Sequence, residues 1–407
     1  MQQIVNEISQ VVTKKKLLIS ISYISMGMLG MYITLYQYTI LSVSQLFHIN
    51  TAMMGLLIAM QHIGISIPPL FMGGLCYKIG KKKLMLIAFA LLVAGTFTAG
   101  VADSLFVFIV SIFFIGAGFS VAEGTLSAVL TDEFPEESTK HLSFSQVAFS
   151  IGALCGPFIA AALIRNGVFF KDLYVYSAGL FLILGLIFVL TQHKNDKGIH
   201  AEKGNFKVRK FLGDRVILLL AFGILLYVGV ENTVANFADS YFELALKAPE
   251  FSAVALALFW GAMIPSRFLM GIIKINTKKV FIFLSVLASM SAILAMIIPY
   301  NTIKIIMFAL CGFSCGPLWP IMMDTVAKKN RGSTGPALNV MMSFCGFGGA
   351  ILPLISGALV NFSSQQTAYY LSAATALLML AVFLRSNGLR YKVYPTDNVS
   401  HLPGDSL

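Results

Sequence analysis

Of the eighteen aspartates and glutamates in this sequence, Glu123 and Glu231 alone lie deep inside long apolar runs. Where such a run crosses a bilayer, an ionisable side chain costs at least about 2.5–3.5 kcal/mol to insert, so its retention marks a functional candidate. A carboxyl removed from water yet open to a pathway has the means to take up and release a proton. The plainer alternative for each is a permanently protonated glutamate hydrogen-bonded to a neighbouring helix. Asp132, Asp239 and Asp324 fall near the ends of their runs, and no lysine or arginine is expected at the depth of either glutamate.

Other polar side chains fall at informative spacings. Asn232, Asn236 and Asp239 recur at i, i+4 and i+7, which places them on one stripe of a helix that must face protein or water, and a cavity wall satisfies that. Trp319 stands between Pro317 and Pro320, where broken helix geometry frees carbonyls and an indole can stack on a bound solute; simple packing is the alternative. Gln37, flanked by Tyr36 and Tyr38, can donate to and accept from a hydroxylated solute. His62, beside Gln61, reads as a neutral interhelical histidine before it reads as a proton relay. Phosphate-loop and H-E-x-x-H patterns are absent, which excludes direct ATP drive and a hydrolytic zinc site of that kind. The five cysteines read as small packing residues, Cys311 and Cys315 have no partner acid or histidine for a metal, and no cofactor is expected.

The elements that position these residues follow from composition. With 57% hydrophobic and 12% charged residues, most of the 407-residue chain has lipid as its solvent. Each crossing needs about 20 apolar residues. Twelve are expected, over 17–47, 51–76, 84–102, 104–130, 142–164, 173–192, 215–240, 251–273, 280–299, 303–327, 334–361 and 366–385. The net charge of +11 does not indicate nucleic acid, because 25 of the 29 lysines and arginines sort to one side. Only Arg165, Lys171, Lys247 and Lys304 fall in the opposite joints, so the positive-inside rule puts both termini in the cytoplasm. The first apolar run is too long for a cleaved signal peptide.

The chain also matches itself at one offset without a gap from the first run to the eleventh. Gly27 falls on Gly223, Lys82 and Lys83 on Lys278 and Lys279, Gly116 on Gly312, Gly152 on Gly348, and Pro157 on Pro353. In that frame Glu123 falls on Trp319. Six crossings separate the copies, so the expected architecture is all-α, with two parallel-related halves (1–192 and 215–386), a joint at 193–214 and a tail at 387–407. Solute sites of such repeats lie at the interface of the halves.

The segment from Gly73 through Cys76, Tyr77, Lys78, Gly80 and Lys81 to Lys83 resembles the G-x-L-x-D-R-x-G-R-K loop of the major facilitator superfamily. Tyr77 stands at its acidic position, while Lys78 and Lys81 keep the charge expected of a gating latch. Within that superfamily the chain is most similar to the fucose-permease-like sugar:proton symporters. Gly116 to Glu123, Gln146 to Pro157, Phe259 to Arg267, and Gly316 to Pro320 with Gly348 to Pro353 carry the likeness. The resemblance implies a proton- or substrate-linked acid at Glu123 and a sugar contact at Gln146, for which an interhelical hydrogen bond is the alternative. It also implies an inner latch at Arg267, although Ser266 replaces the family's glycine there. It puts a second proton-linked acid where this chain has Gln37, which takes up no proton.

The expectation is a secondary transporter, not an enzyme, that moves a small neutral solute such as a monosaccharide by alternating access. Protons couple through Glu123 and Glu231, and substrate is held by Gln37, Tyr36, Gln146, Asn232, Asn236 and Trp319. Its partners are the sugar, protons and the bilayer of a bacterial inner membrane. No nucleic acid, metal or second subunit is expected. A proton-coupled exporter of cationic or amphipathic compounds and an uncoupled uniporter are the alternatives.

Overall fold

In lipid, runs of this length satisfy their backbone groups only by closing every hydrogen bond within a helix or a barrel. Helices form. A computed structural model describes residues 2–71, 79–134, 138–190, 214–272, 276–329 and 334–388. Twelve helices in it are long and apolar enough to cross a membrane. In chain order they are α1 (Leu17–Leu46), α2 (Thr51–Phe71), α3 (Lys81–Val101), α4 (Leu105–Ser127), α5 (Phe144–Arg165), α6 (Phe170–Val189), α7 (Arg215–Asn236), α8 (Pro249–Met270), α9 (Thr277–Ile297), α10 (Asn301–Val326), α11 (Val340–Phe362) and α12 (Gln366–Ser386). Among the described residues there is no strand. The residues of the 193–214 joint before Asp214, and those of the tail beyond Gly388, lie outside the described residues.

Polar side chains start several of these helices by accepting from their orphan amides. Asn50 accepts from the Met53 amide at 3.0 Å before α2, and Asp214 accepts from Val216 at 2.8 Å before α7. Asn276 accepts from Lys278 and Lys279 at 3.1 and 3.2 Å before α9. Large apolar side chains such as Phe71, Phe106, Phe283 and Phe362 point outward, as a lipid-facing surface requires.

Three helices depart from the expected spans, and each departure bears on the pathway. α7 stops at Asn236, short of the expected 240, and the chain continues through a single turn at Ala238–Ser240 and a π-helical turn at Tyr241–Ala245. α8 is two segments, Ser252–Gly261 and Met263–Ile272, meeting at Ala262. α10 is likewise two, Asn301–Cys315 and Leu318–Lys329. The last break follows from composition: the amide that would bond the Gly316 carbonyl belongs to position 320, which is proline and has no N–H.

The repeat is visible in which helices touch. α1 with α5, α2 with α4, α3 with α4 and α3 with α6 recur as α7 with α11, α8 with α10, α9 with α10 and α9 with α12. The two groups of six meet along α2 with α11 and α5 with α8, seams that exchange under the repeat. The paired glycines serve these contacts. A Cβ on Gly152 would strike the carbonyl oxygen of Gly27 on α1, and one on Gly348 would strike that of Leu225 on α7.

We call the face bearing the α1–α2 joint the far face and the opposite one the near face. At the far face the halves touch: a Cβ on Gly55 would meet the Pro353 carbonyl oxygen at 2.8 Å, and Gln45 donates to Glu243 at 3.3 Å. The described cavity between the halves lies on the near-face side of these contacts.

Candidate functional site

Helices α1, α2, α4 and α5 of the first half, with α7, α8, α10 and α11 of the second, enclose a cavity of about 130 Å³. Its walls are aromatic and its polar groups few: Phe119, Phe149, Tyr227, Trp260 and Trp319 surround Glu123, Gln146, Glu231, Asn232, Arg267 and His62. Apolar walls with a few placed polar groups are the general make-up of small-molecule sites.

Glu231 is held from two sides. The Tyr227 hydroxyl, one turn earlier on α7, donates to its Oε1 at 2.7 Å. Arg267 Nη2 of α8 stands 4.0 Å from the same oxygen, with the two side chains only 18% and 11% exposed. Arg267 also ties the halves together, since its Nη1 donates to Ser150 Oγ on α5 at 2.9 Å. Its Nε donates to the Gly316 carbonyl at 3.2 Å, the acceptor that Pro320 leaves free. Glu123, half-buried on α4, pairs with the Gln146 side chain and lies within electrostatic reach of Arg267 and Glu231. The cavity thus holds one ion pair and one further acid whose hydrogen-bond partner is neutral.

This arrangement corrects an expectation. Arg267 was expected at the inner face, away from the glutamates, and the midplane was expected to carry no cation. The flexible stem of Arg267 and the break at Gly316 instead bring the guanidinium into the cavity beside Glu231.

Of the other candidate residues, Gln146, Asn232 and Trp319 line the cavity with Glu123. Glu123 and Trp319, equivalent in the repeat, thereby serve one cavity from opposite halves. Gln37, Tyr36 and Asn236 do not line it. Gln37 is fully buried between the halves, where its Oε1 accepts from Trp260 Nε1 at 2.9 Å and its Nε2 has no partner. Tyr36 is buried, with its hydroxyl unpartnered. Asn236 turns back on its own helix and donates to the Asn232 carbonyl at 2.7 Å, so only the first member of the polar stripe reaches the cavity. Its third member, Asp239, accepts from Ser252 at the far face. Lys81 is half-buried in the first turn of α3, away from the cavity, and Lys78 lies outside the described residues.

Tyr227, Ser150 and Trp260 were not among the candidates. Tyr227 had a readable signal, its place four residues before Glu231 on one helix face. Ser150 and Trp260 had none, because their partners Arg267 and Gln37 lie in the opposite half. The described residues hold no cluster of three or more histidine, cysteine, aspartate or glutamate side chains suited to a metal.

The family model described as Major Facilitator Superfamily matches residues 17–331 and 241–400. The sequence is 26% identical over 268 residues to the inner membrane transport protein YajR of Escherichia coli K12, a match covering 64% of this chain and 58% of that protein. It is 26% identical over 299 residues to a glucose/galactose transporter of Brucella abortus, covering 66% of this chain and 71% of the other. Among solved structures, a mutant of the nucleoside transporter NupG superposes with a TM-score of 0.73 at 14% identity, over 92% of this chain and 99% of that one. The E. coli fucose:proton symporter FucP superposes with a TM-score of 0.65 at 18% identity, over 91% and 98%. At such identities the structural likeness concerns the fold alone.

Proposed function

This chain belongs to the major facilitator superfamily, and from that premise we propose that it is a proton-coupled transporter of a small neutral polar solute, a monosaccharide. It is a multi-pass membrane protein and not an enzyme. The observation that carries the reading is the charge content of the cavity: Glu231 is neutralised by Arg267, and Glu123 is left with the neutral Gln146. One proton on Glu123 brings the site to zero net charge. A cavity of zero charge receives a neutral solute without the cost of desolvating an unpaired ion.

The solute's hydroxyls find donors and acceptors in Gln146 and Asn232, and its apolar face finds Trp319 and the other aromatic walls. Rocking of the halves about this site, with residues 1–192 and 215–386 as the moving bodies, exposes it to each side in turn. The similarity to the glucose/galactose transporter supports a sugar as cargo, and the fold shared with FucP is consistent with proton symport. The charge asymmetry of the joints supports cytoplasmic termini, and the match to YajR supports a bacterial inner membrane.

The test is uptake by proteoliposomes under an imposed proton gradient. Gradient-driven accumulation of one of a panel of monosaccharides, lost in Glu123→Gln, is the expected result. Exchange without accumulation in the wild type would make the protein a uniporter. Gradient-driven expulsion of a lipophilic cation would make it an exporter, with Glu123 as the counter-charge.

A further inference from the structure

Asp239 is a buried carboxyl that the cavity does not use. It is 5% exposed, on the single turn Ala238–Ser240 after α7, and that turn touches both α1 of the first half and α8 of the second. The hydroxyl of Ser252, at the start of α8, donates to its Oδ1. Among the described residues no ion pair reaches it. The titratable groups facing it are Glu243 from the π-helical turn, Tyr38 from α1 and Tyr369 from α12, with Arg165 from the end of α5 acting on Tyr38. Glu243 is itself bonded to Gln45 of α1. Asp239 therefore sits where the two halves close over the far end of the pathway, on an element that must separate from α1 when that end opens.

We propose that Asp239 is a proton-operated lock of the far face, taking up a proton as the halves close there and returning it to the same side as they part. The proposal rests on the alternating-access reading above. The lock adjusts access to the site without entering the stoichiometry of transport. Burial pushes the Asp239 carboxyl up to about 7, the Ser252 hydroxyl pulls against this, and Glu243 adds to it. When the far face opens, water reaches the turn and the carboxyl returns toward its ordinary range near ~3.9. The closed form thus binds the proton more tightly, so closure is favoured as pH falls through 7 and weakened as pH rises above it. Between pH 8 and pH 5 the closed-to-open ratio is expected to rise by up to about a hundredfold.

Hydrogen exchange of the full-length protein in liposomes, corrected for intrinsic rates, reads this directly in segments 36–46 and 237–252. Wild type is expected to lose protection in both segments together as pH rises from 5 to 8, while Asp239→Asn stays protected throughout. Ser252→Ala keeps the carboxyl but removes the hydroxyl that favours its ionised form, and is expected to move the midpoint upward. A wild-type profile that is flat, or one that survives Asp239→Asn unchanged, overturns the lock. Glu123→Gln is expected to keep the exchange profile and lose gradient-driven accumulation, so failure of the coupling reading leaves the lock standing. Folded Asp239→Asn protein that accumulates no solute at pH 5, where wild type does, also overturns it, because both carry a neutral group there at that pH and the proton on Asp239 would then belong to the transport cycle.

Discussion

Arg267 Nη2 and Glu231 Oε1 stand 4.0 Å apart in the lining of the cavity, and the same guanidinium bonds Ser150 across the interface of the halves. The pair is consequently both a charge balance for the site and a tether between the two halves. Under the proposed alternating access, a single residue in that position releases one of its partners in every cycle.

Substitution separates these duties. Arg267→Gln leaves Glu231 without its cation in a largely buried site, and uptake is expected to fall by about tenfold or more, with a loss of stability of about 3 kcal/mol. Arg267→Lys restores the charge, but a point-like ammonium does not serve Ser150, Gly316 and Glu231 together, so recovery is partial. The double variant Arg267→Gln with Glu231→Gln is expected to be more stable than Arg267→Gln alone, by about 1–3 kcal/mol of coupling. Thermal unfolding of wild type, Arg267→Gln, Glu231→Gln and the double variant in detergent measures this cycle, and additive losses would rule the coupling out.

Glu123→Gln fixes the neutral state of the one acid in the cavity that lacks a cation partner. Entry and exit of solute survive, while the link to the proton gradient is lost. Counterflow is expected within about twofold to threefold of wild type, and gradient-driven accumulation is expected to vanish. Unchanged accumulation in this variant would remove Glu123 from the coupling machinery.

The repeat makes a steric prediction. Gly152→Ala drives a methyl into the Gly27 carbonyl, and Gly348→Ala does the same against Leu225. Both clashes are against backbone, which cannot swing aside, so each variant is expected to lose about 1–3 kcal/mol. Gly179→Ala meets no atom within 4 Å and serves as the control, expected at or slightly above wild-type stability. Thermal midpoints of the three variants decide it, and a neutral Gly152→Ala would mean that α1 and α5 are not in this contact.

Twelve crossings, their approximate ends and the pairing of two halves were legible because hydropathy, loop charge and an ungapped repeat are properties of contiguous sequence. Glu123, Gln146, Glu231, Asn232 and Trp319 could be placed together because each sits at a known depth in a crossing. Arg267 was misplaced because depth along a helix does not report where a long side chain ends. Its guanidinium is drawn into the cavity by a carbonyl freed on another helix, at Gly316. Gln37, Tyr36 and Asn236 were placed at a plausible depth too, but which side of a helix faces the cavity depends on how the halves are closed. Gln37 shares a face of α1 with the cavity-lining Ile33 but stands one turn further along the axis, where Trp260 covers it.

Gln37 and Trp260 carry the last consequence. Their hydrogen bond at 2.9 Å crosses the interface with both residues buried, and Trp260 also forms part of the cavity wall. Trp260→Phe keeps the ring but removes the N–H, leaving Gln37 with both amide atoms unpartnered. An unsatisfied buried polar group costs about 1–3 kcal/mol, whereas removing both partners is nearly neutral. Trp260→Phe is therefore expected to destabilise the closed far face, and adding Gln37→Leu is expected to recover most of the loss. Hydrogen exchange in segment 36–46 provides the measurement: protection should drop by about tenfold in Trp260→Phe and return in the double variant. If both variants exchange as wild type does, the bond contributes nothing to closure. If the double variant is the worse of the two, what holds the far face there is the packing of the Gln37 side chain rather than its hydrogen bond.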